Sequence, residues 1–117
     1  VDISFAQSVF QYFYSLKYTK EILHELMRIT KKKLFIYDVK NITTKKKYIS
    51  NKIKKYNLNK KIYAQRYKYA PIRFFKKMFF IDFIKKNYPN CKISIINNPI
   101  YAQDNKFGFS VIISKNN

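Results

Sequence analysis

Apolar positions fall into short blocks along the chain, and each change in their spacing marks a predicted element. "VDISFA" is brief, apolar and β-branched, the pattern of a buried strand. Gln7 to Tyr18 mixes polar and aromatic side chains without a clear period. Thr19 then reads as the N-cap of a helix through Thr30, with Glu21 in its first turn. Ile22, Leu23, Leu26 and Ile29 or Thr30 recur on one side at helical spacing, while Glu21, Glu25 and Arg28 fall elsewhere. Lys31, Lys32 and Lys33 suit the negative end of the helix dipole. "LFIYDV" is a continuous apolar run closing on Asp38, so strand, helix and strand form a βαβ unit with parallel strands. Open α/β sheets bind ligands beyond the carboxyl ends of their strands, so residues 6 to 12 and 38 to 41 are expected to share one sheet edge.

From Lys40 to Lys61 lysine and asparagine dominate, and Ile42, Tyr48, Ile49, Ile53, Tyr56 and Leu58 supply little core material. Residues 39–70 read as a variable basic surface segment, partly helical. Pro71 pushes Ala70 away from helix. The stretch from there to Tyr88 has helical character, but its apolar side shifts between Phe74, Phe75 and Met78 and then Phe80, Phe83 and Ile84. The expectation is a turn or short helix near Pro71 and a main helix packed through the later residues. "CKISII" and "KFGFSVIIS" complete the pattern, joined by about ten residues with turn chemistry and no helical period, which makes them an antiparallel pair. The predicted fold class is α/β, with residues 1–117 forming a single partial domain.

At 117 residues and 47% hydrophobic content the chain has material for one modest core. It starts at Val1, already in strand-like sequence, and is read as a fragment. The formal net charge is +19, which raises nucleic acid or an anionic membrane as partner. The basic residues are nearly all lysine, Arg28, Arg66 and Arg73 being the exceptions, whereas base readers favour the arginine fork. With Lys, Asn, Ile, Tyr and Phe abundant together and one Gly, the charge is read as the imprint of an AT-rich genome, and no specific nucleic-acid partner is expected. Cys91 and His24 stand alone as cysteine and histidine, so neither an intrachain disulfide nor a Cys/His metal site is available. A cytoplasmic location follows as an expectation. No apolar run reaches the roughly 20 residues of a membrane helix. The sequon Asn41-Ile42-Thr43 is read as chance.

The order strand, loop, helix, basic turn, strand ending in Asp, variable helical segment and terminal antiparallel pair resembles the later half of a class I S-adenosylmethionine-dependent methyltransferase, of the type 11-like kind. In that family a strand phrase such as "fDlv" is followed by a loop of the "s-v-l-h-h-l" type, to which "VDISFAQSVFQYF" is similar. The helix phrase "l-x-E-l-x-R-v-l-k-p-g-G" is matched by Leu23, Glu25, Leu26, Arg28, Ile29 and Lys31. Similarity covers Val1 to about Asp38, with weaker support from residues 92 to 114. Lys32 and Lys33 replace the family's glycine turn, so that turn must be remodelled, and Gln11 stands where a His often occurs. The glycine-rich loop and the acidic residue that hold the cofactor in the family have no counterpart in this sequence.

The resemblance implies a Rossmann-like methyltransferase fold, its C-terminal half only, with S-adenosylmethionine as cofactor of the complete protein. Ala6, Gln7 and Ser8 would line the cofactor edge, and Gln11, Tyr12 and Asp38 would face the substrate. Arg66, Tyr67, Tyr69 and Arg73 could clamp an anionic or sugar-like acceptor. The missing N-terminal half of the same domain is the implied protein partner, and the isolated fragment is expected to be inactive, with no catalytic base identified and no metal or membrane involved. A basic nucleic-acid-binding module, using Lys with exposed Tyr or Phe as stacking platforms, is the alternative function. A peripheral membrane element on residues 71 to 88 is weighed as well, and its shifting apolar side argues against it.

Overall fold

The computed structural model describes every residue except 58, 67, 69–71, 99–104 and 116–117, and the side chain of residue 105. Among the described residues the fold is α/β, a four-stranded mixed sheet with four helices. Strand β1 (Ile3–Gln7) leads through a 3-10 turn at Phe10–Tyr12 into α1 (Leu16–Ile29), and α1 returns into β2 (Lys33–Lys40). β1 and β2 are parallel, with Phe5 opposite Phe35 and Gln7 opposite Tyr37, so the βαβ unit is present. A second 3-10 turn (Ile42–Thr44) precedes α2 (Lys45–Lys55), α3 (Lys60–Arg66) and α4 (Lys77–Asn87). Strands β3 (Lys92–Asn97) and β4 (Gly108–Ser114) are antiparallel, as their turn-rich link predicts. β4 inserts between β2 and β3, giving the order β1-β2-β4-β3.

Helix α1 begins earlier than Thr19. Ser15, in extended conformation, accepts from the Tyr18 amide at 3.0 Å and so caps the helix. Thr19 turns inward instead, fully buried, its hydroxyl donating to the Ser15 carbonyl. The buried stripe is Thr19, Leu23 and Met27, each four residues apart, with Leu26 packed beside it, and Ile29 is exposed. Acidic Glu21 therefore lies beyond the first turn, which contains no carboxylate. The glycine turn expected before β2 is remodelled without any left-handed residue. The Lys31, Lys32 and Lys33 amides donate to the Val1 and Asp2 carbonyls, pinning the β2 entrance directly to the start of the chain.

The short helix expected near Pro71 has no counterpart at residues 72–76, and residue 71 itself lies outside the described set. Phe75 is bridged to Asn41 as extended chain, its amide donating to Lys40 O at 2.7 Å and its carbonyl accepting from Ile42 N. That resolves the shifting apolar side: Phe75 reaches the core from extended backbone, while Phe80, Phe83 and Ile84 reach it from α4. Phe80 lies at the centre of the aromatic packing, its ring 5.8 Å from Phe10, 5.6 Å from Phe75 and 5.8 Å from Phe109. The segment after β2 is partly helical, as expected, and α2 and α3 bury only Tyr48 between them.

The buried apolar side chains of α1 and α4 pack on one face of the sheet, with Leu34, Ile36, Val111 and Ile113. The register places Ile3 beside Lys33, Phe5 beside Phe35, Phe35 beside Ile112, and Gln7 beside Tyr37 on the other face. Phe5, Phe35 and Tyr37 form a stacked ladder there, with ring centroids 5.3 to 6.1 Å apart, and Phe5 is 66% exposed. Among the described residues β1 is an edge strand, paired with β2 alone.

Candidate functional site

β1 and β2 run parallel, so their carboxyl ends meet at one edge, and that edge carries two residues with left-handed backbone. Ser8 follows β1 with φ 55°, and Asp38 interrupts β2 with φ 57°. Neither is glycine, and such conformations cost on the order of 1–3 kcal/mol, held by their surroundings and concentrated at functional sites. Asp38 occupies a bulge: Ile36 pairs with Val111 and Val39 with Phe109, leaving two β2 residues opposite Ser110. The two strained residues hold each other, the Ser8 hydroxyl donating to Asp38 Oδ2 at 2.8 Å and the Ser8 amide to Tyr37 O at 3.1 Å.

The Asp38 carboxylate gathers further donors from distant parts of the chain. Lys40 Nζ lies 3.2 Å from Oδ1 and 3.3 Å from Oδ2, and Asn98 Nδ2 donates to Oδ1 at 3.1 Å. Asn98 Oδ1 in turn accepts from the buried Ser110 hydroxyl at 2.7 Å. The Lys40 side chain is 6% exposed, and its ammonium also sits 5.4 Å from the centre of the Tyr48 ring. Gly108, the only glycine in the chain, closes the network from beneath. A Cβ there would lie 2.6 Å from Asn98 Nδ2, 2.8 Å from Val39 O and 3.1 Å from Asp38 Oδ1. With about four acceptor directions filled by Ser8, Lys40 and Asn98, the carboxylate anchors the edge.

The loop after β1 supplies the outer wall. Gln11 is 4% exposed, and its Oε1 has no hydrogen-bond partner among the described residues. Tyr12 beside it is 64% exposed. Arg73 clamps this loop: its amide donates to Gln11 O at 2.7 Å, Nε to Phe13 O at 3.2 Å and Nη2 to Tyr14 O at 3.0 Å. Ala6 packs against the core, and Gln7 is exposed. The edge thus brings together Ser8 and Asp38, and Arg73 is tied to the loop that contains Gln11 and Tyr12. Arg66 lies exposed at the end of α3, and Tyr67 and Tyr69 lie outside the described residues. Lys40, Asn98 and Ser110 were not picked out by the sequence; the single glycine was the one signal pointing to a crowded approach near them.

Elsewhere, a groove of about 340 Å³ between α1 and α4 is lined by Lys20, His24, Phe79, Asp82 and Lys86 among others. His24 Nδ1 and the Tyr88 hydroxyl are hydrogen-bonded there at 2.7 Å, and burial, followed by the nearby Cys91 and Glu25, raises the Tyr88 pKa. No cluster of three metal-ligating side chains occurs among the described residues, and no helix among them is long and apolar enough to cross a membrane. No protein-family model, no curated protein and no solved structure matches this chain.

Proposed function

We propose that this chain is the later half of an S-adenosylmethionine-dependent methyltransferase domain that acts on a small-molecule or sugar-like acceptor. The observation that carries the reading is the Ser8–Asp38 hydrogen bond of 2.8 Å, which joins the loop after β1 to the end of β2. Parallel strands that finish side by side and are joined through a helix create a crevice at their carboxyl ends, the place where α/β sheets receive ligands. The antiparallel pair after the helical segment matches the order expected of the same half-domain.

In this reading Ala6, Gln7 and Ser8 form the cofactor edge, and the acceptor meets Gln11 and Tyr12. Gln11 Oε1, buried and unpartnered among the described residues, would accept from an acceptor hydroxyl or amine. Asp38 and Arg73 act by positioning, one fixing Ser8 and the other the loop carrying Gln11. The cofactor supplies an electrophilic methyl group, and transfer depends chiefly on holding the acceptor nucleophile in line within a closed pocket. This chain fits one wall of such a site only. Its single glycine is spent under Asn98, so a glycine-rich cofactor loop must come from a preceding half, and the open β1 edge and the face carrying exposed Phe5 and half-buried Phe35 and Tyr37 are where that half would pack.

The coding sequence upstream of the Val1 codon, with cofactor binding by the longer product, tests the reading. A strand followed by a Gly-x-Gly loop is expected, and S-adenosylmethionine binding that weakens in Ser8→Pro. An upstream sequence without that loop, or a longer product that binds no cofactor, overturns it.

A further inference from the structure

Residues 39–81 contain no Asp or Glu, and the carboxylate just before them, Asp38, is engaged inside the fold by Lys40. This acid-free stretch leaves the carboxyl edge of β2 through the turn at Ile42–Thr44, which Asn41 N and Thr44 Oγ1 tie to Phe107 O at 2.9 and 3.1 Å. α2 then rises from that edge on one inward anchor, Tyr48, packed edge-on against Phe74 and Phe107. Its exposed surface is lysine apart from Ser50: Lys45, Lys46, Lys47, Lys54 and Lys55 are exposed, and Lys60 and Lys61 follow at the start of α3. At the C-terminus of α2 stands Tyr56, 50% exposed, with the Lys52 and Lys55 ammonium groups 5.7 and 5.4 Å from its ring centre.

We propose that α2 and the start of α3 form a binding surface for single-stranded nucleic acid without base preference, with Tyr56 as a stacking platform and the surrounding lysines neutralising phosphates. The proposal goes beyond the methyl-transfer reading and does not rest on it. Lysine meets phosphate as a point charge and lacks the fork that reads base edges, so the surface tracks a backbone and ignores sequence. The two ammonium groups lie over the exposed ring, and once they turn to phosphates the ring holds a base by its face, a contact open to every base. A lipid surface fits less well, because the large apolar side chains exposed among the described residues of this stretch, Ile42, Tyr56, Ile62 and Met78, are scattered singly and make no continuous insertion face there.

Fluorescence anisotropy of labelled oligothymidylate with the 117-residue chain tests it, alongside polyglutamate as competitor and phosphatidylserine-containing vesicles. Binding at low salt is expected, falling with a log–log salt slope of about −3.5 if about five phosphates are neutralised. Tyr56→Ala should weaken it about tenfold while Tyr56→Phe keeps it. Lys54→Gln combined with Lys55→Gln should flatten the slope by about 1.4, a readout that stands even if Tyr56→Ala does not fold. No binding at low salt overturns the proposal. So does Tyr56→Ala binding as the parent does, polyglutamate competing as well as oligothymidylate, or vesicles binding more tightly than the oligonucleotide.

Discussion

Asp38 combines a left-handed backbone, a bulge and a carboxylate whose acceptor directions are filled from Ser8, Lys40 and Asn98. Removing the carboxylate alone strands the Lys40 ammonium in the interior, so Asp38→Ala is expected to cost about 3–5 kcal/mol in urea unfolding. Adding Lys40→Met should recover much of that loss, and the non-additivity of the cycle measures the coupling. Gly108→Ala tests the crowding beneath: because Val39 O is backbone and cannot step aside, a loss of about 1–3 kcal/mol is expected by the same measurement. Asp38 stood out in the sequence as a polar residue closing an apolar strand, whereas β2 runs on to Lys40 and Asp38 forms the bulge within it. Asn98 and Ser110 were not legible there, because their role depends on a one-residue bulge and on pairing 60 positions apart, and no local pattern encodes either.

At the scale of elements, α2 opens on Lys45, Lys46 and Lys47 with no acidic residue in its first turn and no side-chain cap from Thr44. Positive charge at the positive end of a helix dipole is unfavourable, so Lys46→Glu is expected to raise stability by about 0.5–1 kcal/mol in thermal unfolding, most visibly at low salt. On α1, Arg28 holds the Glu25 carboxyl below its usual pKa, first through its hydrogen bond and then through its charge. A depressed carboxyl pKa stabilises the fold above the unfolded value of 4.5 and loses that contribution as pH falls through the folded value. A comparison of melting temperatures for the parent and Glu25→Gln should therefore show a small gap at neutral pH that closes in acid and in high salt. The βαβ unit and the final hairpin were readable because strand and helix periods differ sharply. The start of α1 was not, since Ser15 and Thr19 are both cap residues and only burial separates them. Phe74–Phe75 looked helical for a similar reason: aromatic pairs fit either conformation, and the Asn41 bridge decided it.

For the molecule as a whole, a net charge of +19 is spread over a body measuring 51 × 29 × 23 Å, with a core confined to one side of its sheet. The radius of gyration of 15.4 Å exceeds the roughly 13 Å expected of a compact chain this long. The excess fits a layer of helix on one face only, with α2 and α3 contributing a single buried ring. That one-sidedness was hidden in the sequence because Phe5, Phe35 and Ile112 have the same apolar character as the residues that do find cover. The unshared edge of β1 has a kinetic counterpart. Successive amides of a strand point to opposite sides within the sheet, so those of Ile3–Gln7 should alternate between slow and fast deuterium uptake, a comb in a mass or magnetic-resonance trace. Any chain that comes to lie along that edge would erase the fast teeth of the comb, so the strand carries its own unlabelled sensor of when it has been joined.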